Sequence, residues 1–423
     1  MPNNTYRPRG GPAEPVFVVG NEPVGLASPI YQDAFGRLRV SEPQTLFEST
    51  HVLSSNPLFW ETTLTGNGTA THVPARASMD LAVTGVSGDR VVRQSHKYIR
   101  YQPGKSQQIL MTFVMSGVTN GVRQKVGYFD ADNGIFLEYN ATGLFIVRRS
   151  KTSGSVVDTA IWYGYWNIDP LDGNGASGIT LDITKAQILL IDLEWLGTGR
   201  VRVGFVIDGI IYYAHEFYNA NVLTTVYMST AHLPLRYEIE NPSAGSTATL
   251  QEICASVSSE GGRQEQNLIF SRAMLTGRPV ANADLPVLSI RVSTVFPGAG
   301  SLINRETVKP EVMTIYTEDA AVRWLLIYNG TLTNPSWVNV DTTHSGVQYD
   351  ESATAITGGV IIDSGYAVST ASGRQAANTQ INSDLVLALN AAGDAGDTLS
   401  VVCQRLTAVS SDTWVSLSWA ELY

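Results

Sequence analysis

Along most of this chain apolar and polar residues alternate in short runs, and the runs stop at Gly, Asn or Asp. Gln108-Ile109-Leu110-Met111-Thr112-Phe113-Val114-Met115 breaks at Ser116-Gly117, Lys125-Val126-Gly127-Tyr128-Phe129 at Asp130-Ala131-Asp132-Asn133-Gly134, and Ile135-Phe136-Leu137-Glu138-Tyr139 at Asn140-Ala141-Thr142-Gly143. A period of two is the strand period, because successive side chains point to opposite faces, while Asn, Asp and Gly accept the positive φ of tight hairpin turns. The plainest case is a meander: Gln187 to Trp195, a turn at Leu196-Gly197-Thr198-Gly199, Arg200 to Ile207, a turn at Asp208-Gly209, and Ile210 to Phe217. A helical period of 3.6 is hard to find anywhere, so the pattern predicts an all-β protein.

The pattern changes twice. Residues 1–44 carry prolines at 2, 8, 12, 15, 23, 29 and 43 and only one apolar run, Val16-Phe17-Val18-Val19, too little for a core of their own. They are predicted to form an extended anchoring arm that packs on something else. Residues 45–278 hold the runs above and are expected to build a large, concanavalin-like antiparallel β-sandwich. The pattern pauses at Thr276-Gly277-Arg278-Pro279 and resumes at Asp284-Leu285-Pro286. Val287 to Val292, Met313 to Thr317, Val322 to Tyr328 and Thr413 to Trp419 then predict a C-terminal sandwich or jelly roll over 279–423.

Composition supports a folded chain: 423 residues, 43% hydrophobic and 16% charged, which is length for two or three domains. The net charge of −10 argues against nucleic acid or an anionic membrane as the main partner, since both need a basic surface. Residues 280–423 contain six basic and fourteen acidic residues, so the acidity is concentrated in the last block and suits an exposed, distal module. No apolar stretch approaches ~18 residues and the start has no apolar signal-peptide core, so the chain is expected to stay in an aqueous compartment. Cys254 and Cys403 are too far apart in sequence for a CxxC site and are expected to be two buried free thiols.

Candidate chemistry is thin. Asp192 and Glu194, two apart on one expected strand, would share a face, as the acid and base of a glycan depolymerase must; an ordinary solvated strand face produces the same spacing. His215 and Glu216 are adjacent and should face opposite ways. Asp130-Ala131-Asp132-Asn133-Gly134 opens like a calcium loop but lacks the later ligands, so a hairpin turn is expected. The six histidines show no metal spacing, and no nucleotide fingerprint or nucleophile motif occurs, so neither metal nor cofactor is expected. The basic stretch from Arg90 to Lys105, with Arg93, Lys97 and Arg100 beside tyrosines, is expected to form a salt-bridged subunit contact or a solvated face. Most of the 8 Trp and 18 Tyr are expected in the core, the alternative being a sugar-stacking surface.

Four stretches resemble a family of virion structural proteins of tailed double-stranded DNA bacteriophages: Asp33 to Ser49, Tyr101 to Ser106, Gly127 to Asp130 with Gly134 to Phe136, and Glu194 to Gly197 with Val206 to Gly209. The resemblance spans roughly residues 30–275 and implies a lectin-like sandwich behind an extended segment, with no catalytic residues. It implies a non-enzymatic virion part, assembled in the host bacterial cytoplasm among other virion proteins and copies of itself, in the tail, baseplate or fibre-attachment apparatus. Capsid decoration is the alternative within that class, and a host-glycan adhesin or a depolymerase the alternatives outside it. Assembly contacts are then expected from Val16, Phe17, Val18 and Val19 as a donated strand, from Phe35, Arg37 and Arg39 in the arm, and from Arg93, Lys97 and Arg100.

Overall fold

The computed structural model describes residues 18–19, 22–23, 43–117, 120–261, 267–300, 302–368, 377–381, 385–407 and 410–422. Of the expected arm, Val18–Val19 pairs antiparallel with Glu22–Pro23. Val16, Phe17, Phe35, Arg37 and Arg39 lie outside the described residues.

The expected all-β architecture is present. A seven-stranded antiparallel sheet runs in the order Val157–Trp162, Gly143–Ser150, Gly134–Asn140, Arg123–Phe129, Leu235–Glu240, Arg90–Ser95 and Trp60–Thr65. An eight-stranded sheet packs against it in the order Ile210–Phe217, Val201–Ile207, Gln187–Leu193, Ser106–Val114, Ala248–Glu260, Ser78–Val83 and Thr69–Val73. Its eighth strand, Gln44–Thr50, pairs with the far half of Ala248–Glu260, Gln44 opposite Ser259 and Thr50 opposite Cys254. The period-two runs supply the core: Ile109, Met111 and Phe113 from one sheet meet Val126, Tyr128, Leu235, Tyr237 and Ile239 from the other, all buried.

The outer face of the seven-stranded sheet is also buried at its centre, by an ion lattice. Glu238 accepts from Arg236 Nε (2.8 Å), Lys125 Nζ (3.0 Å) and Arg90 Nη2 (3.2 Å). Lys125 also reaches Glu240 at 2.7 Å, and Arg123 holds Glu138 through two bonds of 2.9 and 2.8 Å. Cross-strand register makes this possible: Glu238 lies opposite Lys125 on one neighbour and Val92 on the other, while Arg236 and Glu238 share a face of one strand.

The second module packs Leu268–Ala273, Ser411–Leu422, Thr307–Thr317 and Ala377–Gln380 against a six-stranded sheet of Val338–Asn339, Val347–Asp350, Leu285–Val292, Thr398–Arg405, Val322–Tyr328 and Val360–Ala367. Val415, Leu417 and Trp419 alternate inward along the longest of these strands and meet Ile290, Val292, Leu399 and Val401. The boundary expected at 278 is therefore too late. Leu268–Ala273 pairs with Ser411–Leu422, Leu268 opposite Glu421, and Arg278–Val280 is a short strand on the same partner rather than a break. Propensity cannot show this, because pairing over such a sequence distance leaves no mark on the local pattern.

The two modules meet through specific contacts. The Arg305 guanidinium lies over the Tyr98 ring, 4.9 Å from its centroid, donates to Asn390 O at 3.2 Å and stands 3.9 Å from Asp130. Thr307 Oγ1 donates to Tyr98 O at 3.2 Å, Ala391 N to Glu61 at 2.6 Å, and Leu58 of the first module packs on the second core. Cys254 and Cys403 sit apart in the two modules as free thiols, Cys254 half-buried and Cys403 buried, and burial pushes the Cys403 thiol up to about 12.

Candidate functional site

The carboxylate pair does not assemble. The strand ends at Leu193, so Glu194 falls beyond it in the turn. Asp192 is fully buried rather than solvated: Arg202, directly opposite in the register, ion-pairs with it at 2.5 Å, and Ser106 Oγ and Tyr213 Oη donate to it at 3.0 and 2.9 Å. Three donors on an unexposed carboxylate make a structural tie, with no face left for a sugar or a water. His215 is also internal. It takes a bond from Asn167 N–H at 3.3 Å, and burial pushes its pKa down to about 4.

The basic stretch is not a subunit surface at its centre. Arg93 is 1% exposed, paired at 2.5 Å with Glu252, which also holds His51 at 2.7 Å, and its guanidinium lies 5.5 Å from the Trp60 ring centroid. Lys97 is half-buried and donates to Leu46 O at 2.8 Å; Arg100 is half-buried too. A strand at the middle of a sandwich can bury long cations when an acidic residue lies across from them, and Glu252 is that residue, about 160 positions away in the chain. The Asp130–Gly134 stretch is the expected turn, with Asp130 Oδ1 accepting from Asp132 N and Asn133 N at 2.8 Å each. Among the described residues no three His, Cys, Asp or Glu side chains gather as a metal site.

Three of the stretches that carry the family resemblance, those around Tyr101, Gly127 to Phe136 and Glu194, meet at one end of the first sandwich. The Tyr101 ring meets Trp195 edge-on at 6.2 Å, Trp195 Nε1 donates to Met228 O at 3.2 Å, Tyr227 Oη donates to Glu194 O at 2.8 Å, and Asn133 Nδ2 reaches Ser229 at 2.8 Å. They tie turns together, and Glu194 and Leu196 line a shallow cleft of about 300 Å³ beside Tyr218.

A cleft of about 480 Å³ borders the strand Gln44–Thr50 where the modules meet, lined by Leu46, Phe47, Leu58, Phe59, His96 and Val386. A second, of about 510 Å³, is aromatic and lies at the margin of the seven-stranded sheet. Its wall is Trp162, Tyr163 and Trp166, from the end of the outermost strand and the 3-10 turn after it, Trp162-Tyr163-Gly164-Tyr165-Trp166, where four of five residues are aromatic and cannot all face the core. Trp166 is buried at 5% exposure and donates Nε1–H to Ile161 O, whereas Tyr165 is 77% and Trp162 37% exposed. Trp162 is gripped at both ends by glycines. At Gly143, with φ +130°, a Cβ would lie 2.8 Å from the indole nitrogen, and at Gly164 it would lie 2.1 Å from the benzo ring. Trp162 meets Tyr163 at 4.5 Å and Tyr165 at 5.7 Å between ring centroids.

Leu144, Leu171 and Ile183 form the floor, and Thr142, Asp172 and Thr180 the rim. The opposite wall is an irregular loop held by Asp169, a buried carboxylate that accepts from Leu171 N at 2.8 Å and Ser177 N at 2.7 Å. The expectation that Trp and Tyr serve mainly as core missed this groove. The signal was the dense aromatic run interrupted by one glycine and followed by a Gly-rich loop.

No protein-family model matches the sequence, and no curated protein matches it. Solved structures similar to it include a glycosyl hydrolase family protein from Mycobacterium fortuitum, at 11% identity over 51% of this chain and 99% of that one, TM-score 0.35. The carbohydrate recognition domain of Emp47p overlaps 51% of this chain and 96% of its own at 8% identity and TM-score 0.33. The CBM2 module of the evolved Dit of Lactobacillus casei BL23 phage J-1 overlaps 53% and 99% at 6% identity and TM-score 0.32. Each overlap spans about half of this chain, and at these scores none bears on what the chain does.

Proposed function

We propose that this chain is a non-enzymatic structural protein of a phage virion, exposed on the particle and anchored through the segment that precedes Gln44. The observation that carries the reading is the fate of Pro43 to Ser49, the end of the first of the resembling stretches. Those residues become a strand hydrogen-bonded to Ala248–Glu260 along six residue pairs. Tension on the preceding segment would run along this strand and load its ladder in shear, all bonds together, as an anchor requires. The body behind it is stiff, because Arg305, Thr307 and Glu61 lock the second module to the first. The burial of Asp192 against Arg202 supports a part that works by contact rather than by acid–base chemistry.

The test is incorporation. A variant lacking residues 1–42 should keep its circular dichroism spectrum and melting temperature yet be absent from purified particles; incorporation at the full-length level would overturn the reading. Asp192→Asn separates out the depolymerase alternative, which requires that host-capsule clearing disappear with that one carboxylate.

A further inference from the structure

We infer that the aromatic groove beside Trp162 and Tyr163 binds an uncharged carbohydrate chain. The inference goes beyond the structural role proposed above and is read independently of it, by sugar binding rather than by incorporation.

The chemistry of the groove selects the ligand. A pyranose presents a C–H face that stacks on an aromatic ring and an equatorial rim of hydroxyls that both donate and accept hydrogen bonds. The groove offers both kinds of partner. The rings of Trp162 and Tyr163 are the stacking surface, and the apolar floor of Leu144, Leu171 and Ile183 excludes water beneath it. The Trp162 indole N–H and the Tyr139, Tyr163 and Tyr165 hydroxyls make no hydrogen bond within the described residues, and at the rim one Asp172 oxygen accepts only from Asn174 N at 2.9 Å. The cleft volume falls in the ~300–1,000 Å³ range of small-ligand sites.

Two further features favour a sugar over other occupants. The site is pre-formed: glycines 143 and 164 hold the indole in place and Asp169 fixes the facing loop, so little ordering accompanies binding. The charged group on its lining is the Asp172 carboxylate, since Asp182 beside Tyr139 is balanced by Lys185, and this disfavours uronic or sialic acids and leaves neutral hexoses or N-acetylhexosamines. A proline-rich peptide also stacks on aromatic rings, but prolines offer no N–H to the Asp172 carboxylate, whereas sugar hydroxyls do.

Native gels cast with neutral polysaccharides (glucans, mannans, galactomannans and chitosan re-acetylated to chitin oligomers), with polygalacturonate as the acidic control, test this on the full chain. Retardation by at least one neutral glycan is expected. Titration calorimetry with the matching oligosaccharide should then show Trp162→Ala weakening binding at least tenfold and Asp172→Asn by a few-fold. The melting temperature of Asp172→Asn should be unchanged, because its side chain is exposed, so its loss of binding cannot be loss of fold. Retardation by none of the neutral glycans, retardation by polygalacturonate alone, equal binding by wild type and Trp162→Ala, or binding only of a Tyr6–Pro15 peptide would each overturn it. Release of reducing ends during the incubation would instead count against the non-enzymatic reading and leave sugar recognition standing.

Discussion

The two modules bury carboxylates on opposite terms. In the first, Glu238 is 1% exposed, and burial alone would raise its pKa. Arg236, Lys125 and Arg90 outweigh burial and hold it far below the usual carboxylate range. In the second, Glu306 is 2% exposed and has no cation beside it. Burial first, and the neighbouring Glu421 second, push its carboxyl up to about 8. Glu306 Oε1 accepts from Asn304 Nδ2 at 3.1 Å while its Oε2 is buried without a hydrogen-bond partner, and Glu421 is committed as acceptor to Ser345, Trp419 and Gly346. One module is thus built around an ionised carboxylate and the other around a protonated one, and the difference lies in the partners rather than in the depth of burial.

The contrast can be broken most forcefully by Glu238→Gln. It leaves three cations around a neutral amide and should cost about 3–5 kcal/mol at pH 7, read as a lower urea midpoint; a loss under about 1 kcal/mol would mean the lattice carries little. Next in size is the opposite response to pH. Glu238 is depressed when folded, so its contribution is present above the unfolded value near 4.5 and is lost as pH falls below it. Glu306 is raised, so its contribution is complete below about 4.5 and is lost as pH climbs from there to about 8. Calorimetry across this range should show the first module failing on the acid side and the second weakening on the basic side; parallel responses would dissolve the comparison.

Glu306→Gln sharpens it further. The amide keeps the shape without the charge, so the second module should gain about 1–3 kcal/mol at pH 8 and progressively less as the pH is lowered toward 4.5, measured by the same melts. The smallest expected effect is at the joint. Arg305→Ala removes the cover from Tyr98 and the bond to Asn390, and should cost about 1 kcal/mol while separating one thermal transition into two.

Most of the strands were legible from the chain because period two is a local signal: the meander from Gln187 to Phe217 reads directly from alternation and its two turns. What did not read is what depends on partners distant in sequence. The buried cations Arg93 and Arg202 look like surface charge until Glu252 and Asp192 are found across from them. Leu268–Ala273 looks like the tail of the first block until Ser411–Leu422 pairs with it. The aromatic groove lies between these extremes. Its residues are contiguous, but that they open outward depends on Gly143 and Gly164 accepting the indole, a steric fact that composition does not display.

Leu422 shares a small crevice with Leu46, Tyr98 and Thr307, so the last described strand finishes beside the strand that begins the folded body. If Gln44–Thr50 is the tether, as proposed, a group attached beyond Leu422 would ride beside it, whereas three strands of the sheet separate that tether from Val201–Ile207 and the Asp208-Gly209 turn.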